Sequence, residues 1–511
     1  MLIELLLALL TAPGLALASG DFKVRLLDDP LHFDWNLAYG KEAPILMNMM
    51  EGLVEFDKQM KIAPALAQEW TVSADGKTYD FKLRPGVKWS DGKPLVAADF
   101  VFSWLRLLSP SLGASYAYLL FDIEGAEDYH AGKLKNRALV GVSAIGTDKI
   151  QLRLRSPKSF FLQLFSFWST FPVRQDLVEK FGPAWEQPGK IVVLGPFVPV
   201  SYVPHSQIVM KRNELYHGDR PRLDSVTFKI INEESNALKA FAAGEVDYSM
   251  FYGTQSDVED SGILAFLKKT SIFKVCSLYF NVSIFPFSLK KIRQAFAMAI
   301  DRTAIAQKAA AEAGAADAFA PTLLFPAGKG STLPFDPAKA KQLLGEAIGE
   351  VGKLPKLEFT IYASDQNARL GAILSESLER NLGVKLAIGT YNMPEYHNRI
   401  SMKIAPIFYG CWAADYADPD SIFSVFLSDT GNNRTFWKNA AYDALIHKGA
   451  ATADAGERAR IYVEAQKLLL QDEAAIIPLY FPQLQYFLKP KFTGLSVNAF
   501  GHSFFRNISE Q

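Results

Sequence analysis

The stretch Ile404–Leu427, IAPIFYGCWAADYADPDSIFSVFL, decides how the rest of the chain is read. Its first part, Ile404 to Trp412, is an apolar run of strand length with Pro406 inside it. That places the strand near a sheet edge, where a missing N–H breaks no ladder bond. Asp418-Pro419 then reads as a turn and a helix start, because Asp is a good N-cap and Pro suits the first helical position. Ile422, Phe423 and Phe426 form an apolar stripe behind it. Asp415 stands between strand and helix, where open α/β sheets bind ligands in the crevice beyond the carboxyl ends of their strands. Asp415 equally suits a structural duty, closing the turn or capping the helix. Tyr409, Trp412 and Tyr416 around it fit either reading.

The chain has 511 residues, more than one ordinary core holds, so two or three domains are expected. Hydrophobic content is 49% and charged content 21%, a globular composition. Acids and bases balance at 54 each, so no field draws in nucleic acid or an anionic membrane, and neither partner is expected. Leu2 to Leu10 is a nearly continuous apolar run that ends near Ala16-Leu17-Ala18, a small-residue cleavage pattern. Residues 1–18 therefore read as a secretory signal peptide, with the mature chain starting near Ser19 in the periplasm. Glu4 stands where Lys or Arg belongs, so either the true start lies upstream or the export signal is weak. An uncleaved anchor is the alternative, although the run is short for a spanning helix. No Cys follows the run to carry a lipid. The two cysteines, Cys276 and Cys411, can form one disulfide in an exported chain and mean little in a cytosolic one.

Along the chain, Phe22 to Leu27 reads as a strand, Ala43 to Met50 as a helix, and Asp75-Gly76-Lys77 as a hairpin turn. Tyr79, Phe81 and Leu83 alternate with polar residues, so that strand has one wet face. Val87 to Trp89 reads as a second short strand. Phe100, Val101, Trp104, Leu105 and Leu108 recur at helical spacing within Ala97 to Leu108. Phe160 to Phe167 reads as an apolar helix, and a loop begins at Phe181. Val226 to Ile231 is a strand and Ser235 to Ala243 a helix stopped by Gly244. After Cys276 the pattern becomes alternating helices and strands: a helix carrying Ile292 and Phe296, one capped by Asp336-Pro337, a strand Leu357–Tyr362, a helix Leu370–Asn381 and a strand Val384–Ile388. A helix Glu457–Glu473 and a strand Ile476–Tyr480 follow. This is the logic of βαβ units.

Catalytic signatures are missing. There is no Gly-x-Ser-x-Gly elbow and no His-Glu-x-x-His, and the seven histidines have no metal-ligand spacing. Gly86 to Lys93 ends in Gly-Lys but has one residue too many between its glycines, and Pro94 replaces the Ser or Thr of a phosphate loop. Two cysteines alone build no zinc or iron–sulfur site. No cofactor and no metal are expected.

Trp412-Ala413-Ala414-Asp415-Tyr416-Ala417-Asp418-Pro419-Asp420 resembles the signature segment of the extracytoplasmic solute-binding proteins of ABC importers, family 5, in its oligopeptide and dipeptide branch. Tyr79 to Trp104 is similar to that family's other signature, read here as scaffold. The likeness in order and spacing runs from about Glu42 to Lys489. It implies an α/β protein of two lobes, a Venus-flytrap periplasmic-binding-protein fold, with an extra domain inserted into the first lobe. Lobe I would comprise residues 19–50, 171–271 and 485–511, the inserted domain 51–170, and lobe II 272–484. The implied function is a monomeric periplasmic receptor, not an enzyme, that closes on an extended oligopeptide and delivers it to an inner-membrane permease. By the same resemblance Asp415 neutralises the ligand's α-amino group and Tyr409, Gly410, Cys411 and Trp412 lie beside its main chain. Tyr116 and Tyr118 lie on a loop where the relatives place an aromatic against the ligand, with a core role as the equal alternative, and Glu42 and Arg399 complete the set. Relatives carry a Trp where this chain has Asn392 or Met393, and an Arg where it has Tyr409, which implies different side-chain pockets. They also carry a disulfide whose second Cys follows the Trp, at the position of Ala413. Cys411 lies two residues earlier and so on the same strand face, and a Cys276–Cys411 pair is expected. Another solute (a dipeptide, sugar, nickel or glutathione) on the same fold, or a peptide hydrolase, remain the alternatives.

Overall fold

The computed structural model describes residues 20–253, 255–309 and 314–511. The expected signal peptide, residues 1–18, and Ser19 lie outside the described residues.

Three sheets carry the fold. A seven-stranded mixed sheet runs, edge to edge, Leu267–Ser271, Gln483–Leu488, Tyr248–Phe251, Asp21–Leu26, Ser225–Ile230, Gln207–Arg212 and Phe197–Val203. A six-stranded sheet runs Gly314–Ala315, Ile476–Phe481, Lys274–Phe280, Ile407–Ala413, Leu357–Tyr362 and Leu386–Tyr391. A four-stranded antiparallel sheet (Ala67–Val72, Thr78–Leu83, Lys149–Arg153, Val142–Ile145) is contributed by a segment between the first two strands of the seven-stranded sheet's own sequence. The chain passes between the two large sheets twice, at 271–274 and at 481–483. On one side of the passage Leu267–Ser271 pairs with Gln483–Leu488, and on the other Lys274–Phe280 pairs with Ile476–Phe481. Two adjacent strands thus cross together from one lobe to the other.

The core explains the layers. The seven-stranded and four-stranded sheets share one hydrophobic cluster, in which Phe22 and Phe81 are both buried. The six-stranded sheet has a separate cluster on each face, because alternate residues of its strands point opposite ways. Leu278 and Tyr409 belong to one face, Val275 and Phe408 to the other. Buried tryptophans find partners for their N–H: Trp35 donates to the carbonyl of Phe171 at 3.1 Å, Trp104 to Thr170 at 2.8 Å and Trp89 to Asp99 at 3.0 Å. Truncating any of them to Ala loses both the packing and the bond, about 3–5 kcal/mol.

Several expectations need correction. The strand after Ile404 begins at Ile407, so Pro406 precedes it and removes no ladder bond from it. It is therefore not an edge strand throughout: Ile407 and Phe408 lie between Phe280/Tyr279 on one side and Phe359/Thr360 on the other. Val87–Trp89 forms only a single bridge, Lys88 to Pro94. Phe161–Ser166 is a 3-10 helix, as is Gly182–Glu186 where a loop was expected. Apolar spacing does not separate three from 3.6 residues per turn over so short a run. The helix after Leu357–Tyr362 starts five residues earlier than its apolar stripe, at Asp365, because the Ser364 side chain caps it by accepting from Asn367 N–H.

Candidate functional site

Beyond Phe408 the strand Ile407–Ala413 has a partner on one side only. Its bonds to Leu357–Tyr362 end there, while Lys274–Phe280 continues opposite it to Ala413. Successive residues of a strand aim their N–H and C=O to alternate sides. Ala414 N–H donates to Phe273 on the paired side, and the Tyr409 carbonyl accepts from the Tyr396 hydroxyl on the other. Cys411 and Ala413 share the parity of Tyr409, so their N–H and C=O face the open edge, and both residues are exposed. Cys276 and Cys411 stand directly opposite each other and are joined by a disulfide, with Cα atoms 4.0 Å apart.

The open edge ends at Asp415. Its own N–H is held by Ser421 Oγ at 2.8 Å, and Trp412 Nε1 donates to the Ser421 carbonyl at 3.2 Å, so strand end and loop are fixed together. The Asp415 carboxylate accepts from the Tyr118 hydroxyl at 2.9 Å, a bond from the inserted domain across to lobe II. It has no ion pair among the described residues. Burial consequently pushes its carboxyl from the ordinary 3.8 up to about 6, and the Tyr118 bond only partly opposes this. Tyr116, whose ring lies 6.1 Å from that of Tyr118, is pushed up to about 12 by burial and then by the Asp415 charge. Asp420, nearby, is also pushed up to about 6, but its oxygens accept from the Tyr416 and Tyr462 hydroxyls at 2.8 and 3.0 Å.

Asp415 lines two cavities. The larger, about 920 Å³, runs into lobe I between Met47, Met60, Phe56, Phe167, Phe500 and the C-terminal segment. His502 also lines it, packed against Trp168 and Phe500, and burial holds its imidazole neutral by lowering it to about 4. The smaller cavity, about 230 Å³, lies between the inserted domain and lobe II. There Phe160 stacks on Tyr416 with centroids 4.5 Å apart, and Ser159 N–H donates to Ala450, so the lobes touch across the cleft. An extended chain laid along the Cys411–Ala413 edge would be hydrogen-bonded as an added strand, with an anion at its end.

Residues 61–434 match the family described as bacterial extracellular solute-binding proteins, family 5. The chain belongs to that family. Its relatives include the dipeptide-binding protein DppE of Bacillus subtilis, 31% identical over 470 residues, 89% of this chain and 85% of that one. The probable deoxycholate-binding periplasmic protein YgiS of Escherichia coli is 29% identical over 485 residues, 92% and 88% of the two chains. OppA of Haemophilus influenzae, solved in complex with RPPGFSPFR, superposes with a TM-score of 0.81 at 26% identity, covering 96% of this chain and 99% of that one. The two-lobe fold of family 5 is the one described above.

In this family 5 member the structure brings Asp415, Trp412 and Tyr118 to the smaller cavity and places Gly410 and Cys411 on the strand that leads to it. A Cβ on Gly410 would meet the Tyr279 ring at 3.4 Å. Tyr116 packs behind Tyr118 on Phe167 and Trp168. Gly410, Cys411 and Tyr116 do not themselves line either cavity, and three further expected residues are engaged elsewhere in the fold. Tyr409 is buried, its hydroxyl 2.5 Å from that of Tyr480. Both carboxylate oxygens of buried Glu42 accept backbone N–H groups, from Leu31 at 2.9 Å and Tyr39 at 3.0 Å. Arg399 pairs with Glu358 at 2.8 Å and lies over the Tyr391 ring. Missed from the sequence were Glu51, Glu55, His502 and Arg506, which line the larger cavity from positions far apart in the chain. Gly52 beside Glu51 was the available signal. A Cβ there would fall 1.9 Å from the Phe165 carbonyl, so the Glu-Gly-Leu turn is pinned against the 3-10 helix Phe161–Ser166.

Proposed function

We propose that this chain is the periplasmic receptor of an ABC-type peptide importer, a monomer without catalytic activity that hands its cargo to an inner-membrane permease. The observation that carries the reading is Asp415: a desolvated carboxylate with no cation partner among the described residues, at the end of a strand edge whose N–H and C=O groups face outward. A peptide supplies what both lack, a cationic amino terminus and a main chain of alternating donors and acceptors. Main-chain recognition is blind to side chains, which suits a carrier of many peptides. The bodies that close are lobe I with its inserted domain and lobe II, hinged at 271–274 and 481–483. Closure follows from contacts that the ligand makes only in the closed state, Asp415 among them.

DppE and OppA, by their names and the bound peptide, support a peptide rather than a sugar or metal ligand. Deoxycholate, the ligand named for YgiS, is itself an anion, which Asp415 would repel. No helix among the described residues is long and apolar enough to cross a membrane. The test is to purify the protein from its natural compartment, release what it retains and weigh it by mass spectrometry, then repeat after incubation with a defined peptide mixture. Intact peptides in the bound fraction are expected. Cleaved peptides left in solution would favour a hydrolase, and a non-peptide ligand another carrier.

A further inference from the structure

The larger cavity has a second charged feature, formed by three separate segments, at 51–55, at 216–217 and at Arg506. Glu51 accepts from the Tyr216 hydroxyl at 2.5 Å, its other oxygen lies 2.6 Å from His217 Nε2, and Arg506 lies 3.6 Å away. Arg506 forks onto Glu55 at 2.9 and 3.2 Å. Glu51 is nearly enclosed, with its side chain 10% exposed, whereas Glu55 and Arg506 are 35% and 31% exposed and face the cavity that Asp415 also lines. The other charged residues on that wall do not alter the balance. Asp57 closes its own turn by accepting from Gln59 and Lys61 N–H, and Lys58 is exposed at the rim.

The geometry points to a side-chain subsite for a basic residue of the bound peptide, built on Glu51, Glu55 and Arg506. This deepens the peptide reading and rests on it. Two carboxylates share one guanidinium, so the cluster carries an uncompensated negative charge when His217 is neutral. An incoming ammonium or guanidinium can take Glu55 while Arg506 shifts onto Glu51, 3.6 Å away, leaving every charge paired. An incoming carboxylate has no such exchange, because it would have to strip Arg506 from Glu55 and place a third anion around one cation. The methionines on the same wall, Met47, Met50 and Met60, give an adaptable apolar sleeve for the methylene stem of a lysine or arginine. The peptide would therefore be read at two points, its amino terminus at Asp415 and one basic side chain at Glu55.

The experiment is calorimetry of the full mature protein with trialanine and with the six tripeptides that replace one alanine by lysine or by glutamate. At one position lysine should bind about tenfold tighter than alanine, and glutamate weaker. Glu55→Gln should collapse that lysine-to-alanine ratio towards one, whereas Arg506→Gln, which removes the cation that the two carboxylates share, should raise it. Opposite movements of the ratio separate a recognition role from a structural one, since a damaged fold lowers affinity for every peptide alike. Equal affinity for lysine and alanine at all three positions, a preference for glutamate, or a ratio that moves the same way in both variants overturns the subsite while leaving peptide binding intact. Failure of all seven peptides to bind overturns the peptide reading and this inference with it.

Discussion

Asp415 and Asp418 lie three residues apart in one loop and are treated in opposite ways. Asp418 is buried and gripped by both terminal nitrogens of Arg458, and its Oδ1 also accepts from Asp420 N–H, although the helix begins at Asp420 with Pro419 as its N-cap, one residue later than the sequence suggests. Both of its carboxylate oxygens thus have donors in place of water. Among the described residues the Asp415 carboxylate receives one tyrosine hydroxyl and no cation, and burial raises its carboxyl. The same residue type in the same loop is thus a rivet in one place and an unmet demand in the other. The difference teaches that a candidate binding residue is recognised by what its own protein fails to give it.

Breaking each carboxylate separately gives the largest effects, and they should appear in different measurements. Arg458→Gln leaves Asp418 buried without its cation and should lower folding stability by about 3–5 kcal/mol, read from the urea midpoint. Asp415→Asn should weaken peptides with a free amino terminus by about 3–5 kcal/mol, roughly two to three and a half orders of magnitude in Kd, and barely affect N-acetylated ones. An equal loss for free and acetylated peptides would make Asp415 another rivet.

The next contrast is in pH. A cationic amine needs the ionised carboxylate, so affinity should fall about tenfold for each pH unit below about 6, until the lowered carboxyl pKa of the bound state is reached. Folding stability runs the other way. The unfolded carboxyl titrates near 3.8 and the folded one near 6, so the folded chain holds the extra proton in that window. The stabilisation from this group is complete at low pH and is lost as pH rises through about 6. Asp415→Asn should flatten both profiles, and a Kd that is level from pH 7 to 5 would show that no carboxylate titrates against the ligand.

The smallest expected effect sharpens the role of the inserted domain. Tyr118→Phe removes the one hydroxyl that donates to the Asp415 carboxylate among the described residues and should weaken free peptides by about 0.5–1.5 kcal/mol, roughly two- to tenfold in Kd. A loss as large as that of Asp415→Asn would move the recognition from the carboxylate to the tyrosine.

Local chemistry made much of this legible. The Asp336 cap, the Asp75-Gly76 turn and the alternation at Tyr79 to Leu83 each depend on neighbours within a few residues, and each is found where it was read. The place of Asp415 was legible because strand, loop and helix start lie within one stretch. Pro406 misled because a proline's meaning depends on whether it falls inside a strand or one residue before it. Glu42 and Arg399 misled because a charged residue names its chemistry and not its partner, and both find theirs within the fold. The Glu51–Arg506 contact joins residues 455 positions apart, which no periodicity encodes.

The two passages between the lobes also set an order of assembly. Lobe I is written at both ends of the chain: the first described strand, Asp21–Leu26, sits two strands from Gln483–Leu488, and Phe22 packs on Phe492 and Phe505. A ribosome must finish almost the whole message before that strand meets its last neighbours, whereas the four-stranded sheet and the six-stranded sheet have all their strands earlier, in uninterrupted text. The piece nearest the amino terminus is therefore the last to be completed, and a nascent chain stays open at its leading end until its trailing end has been made.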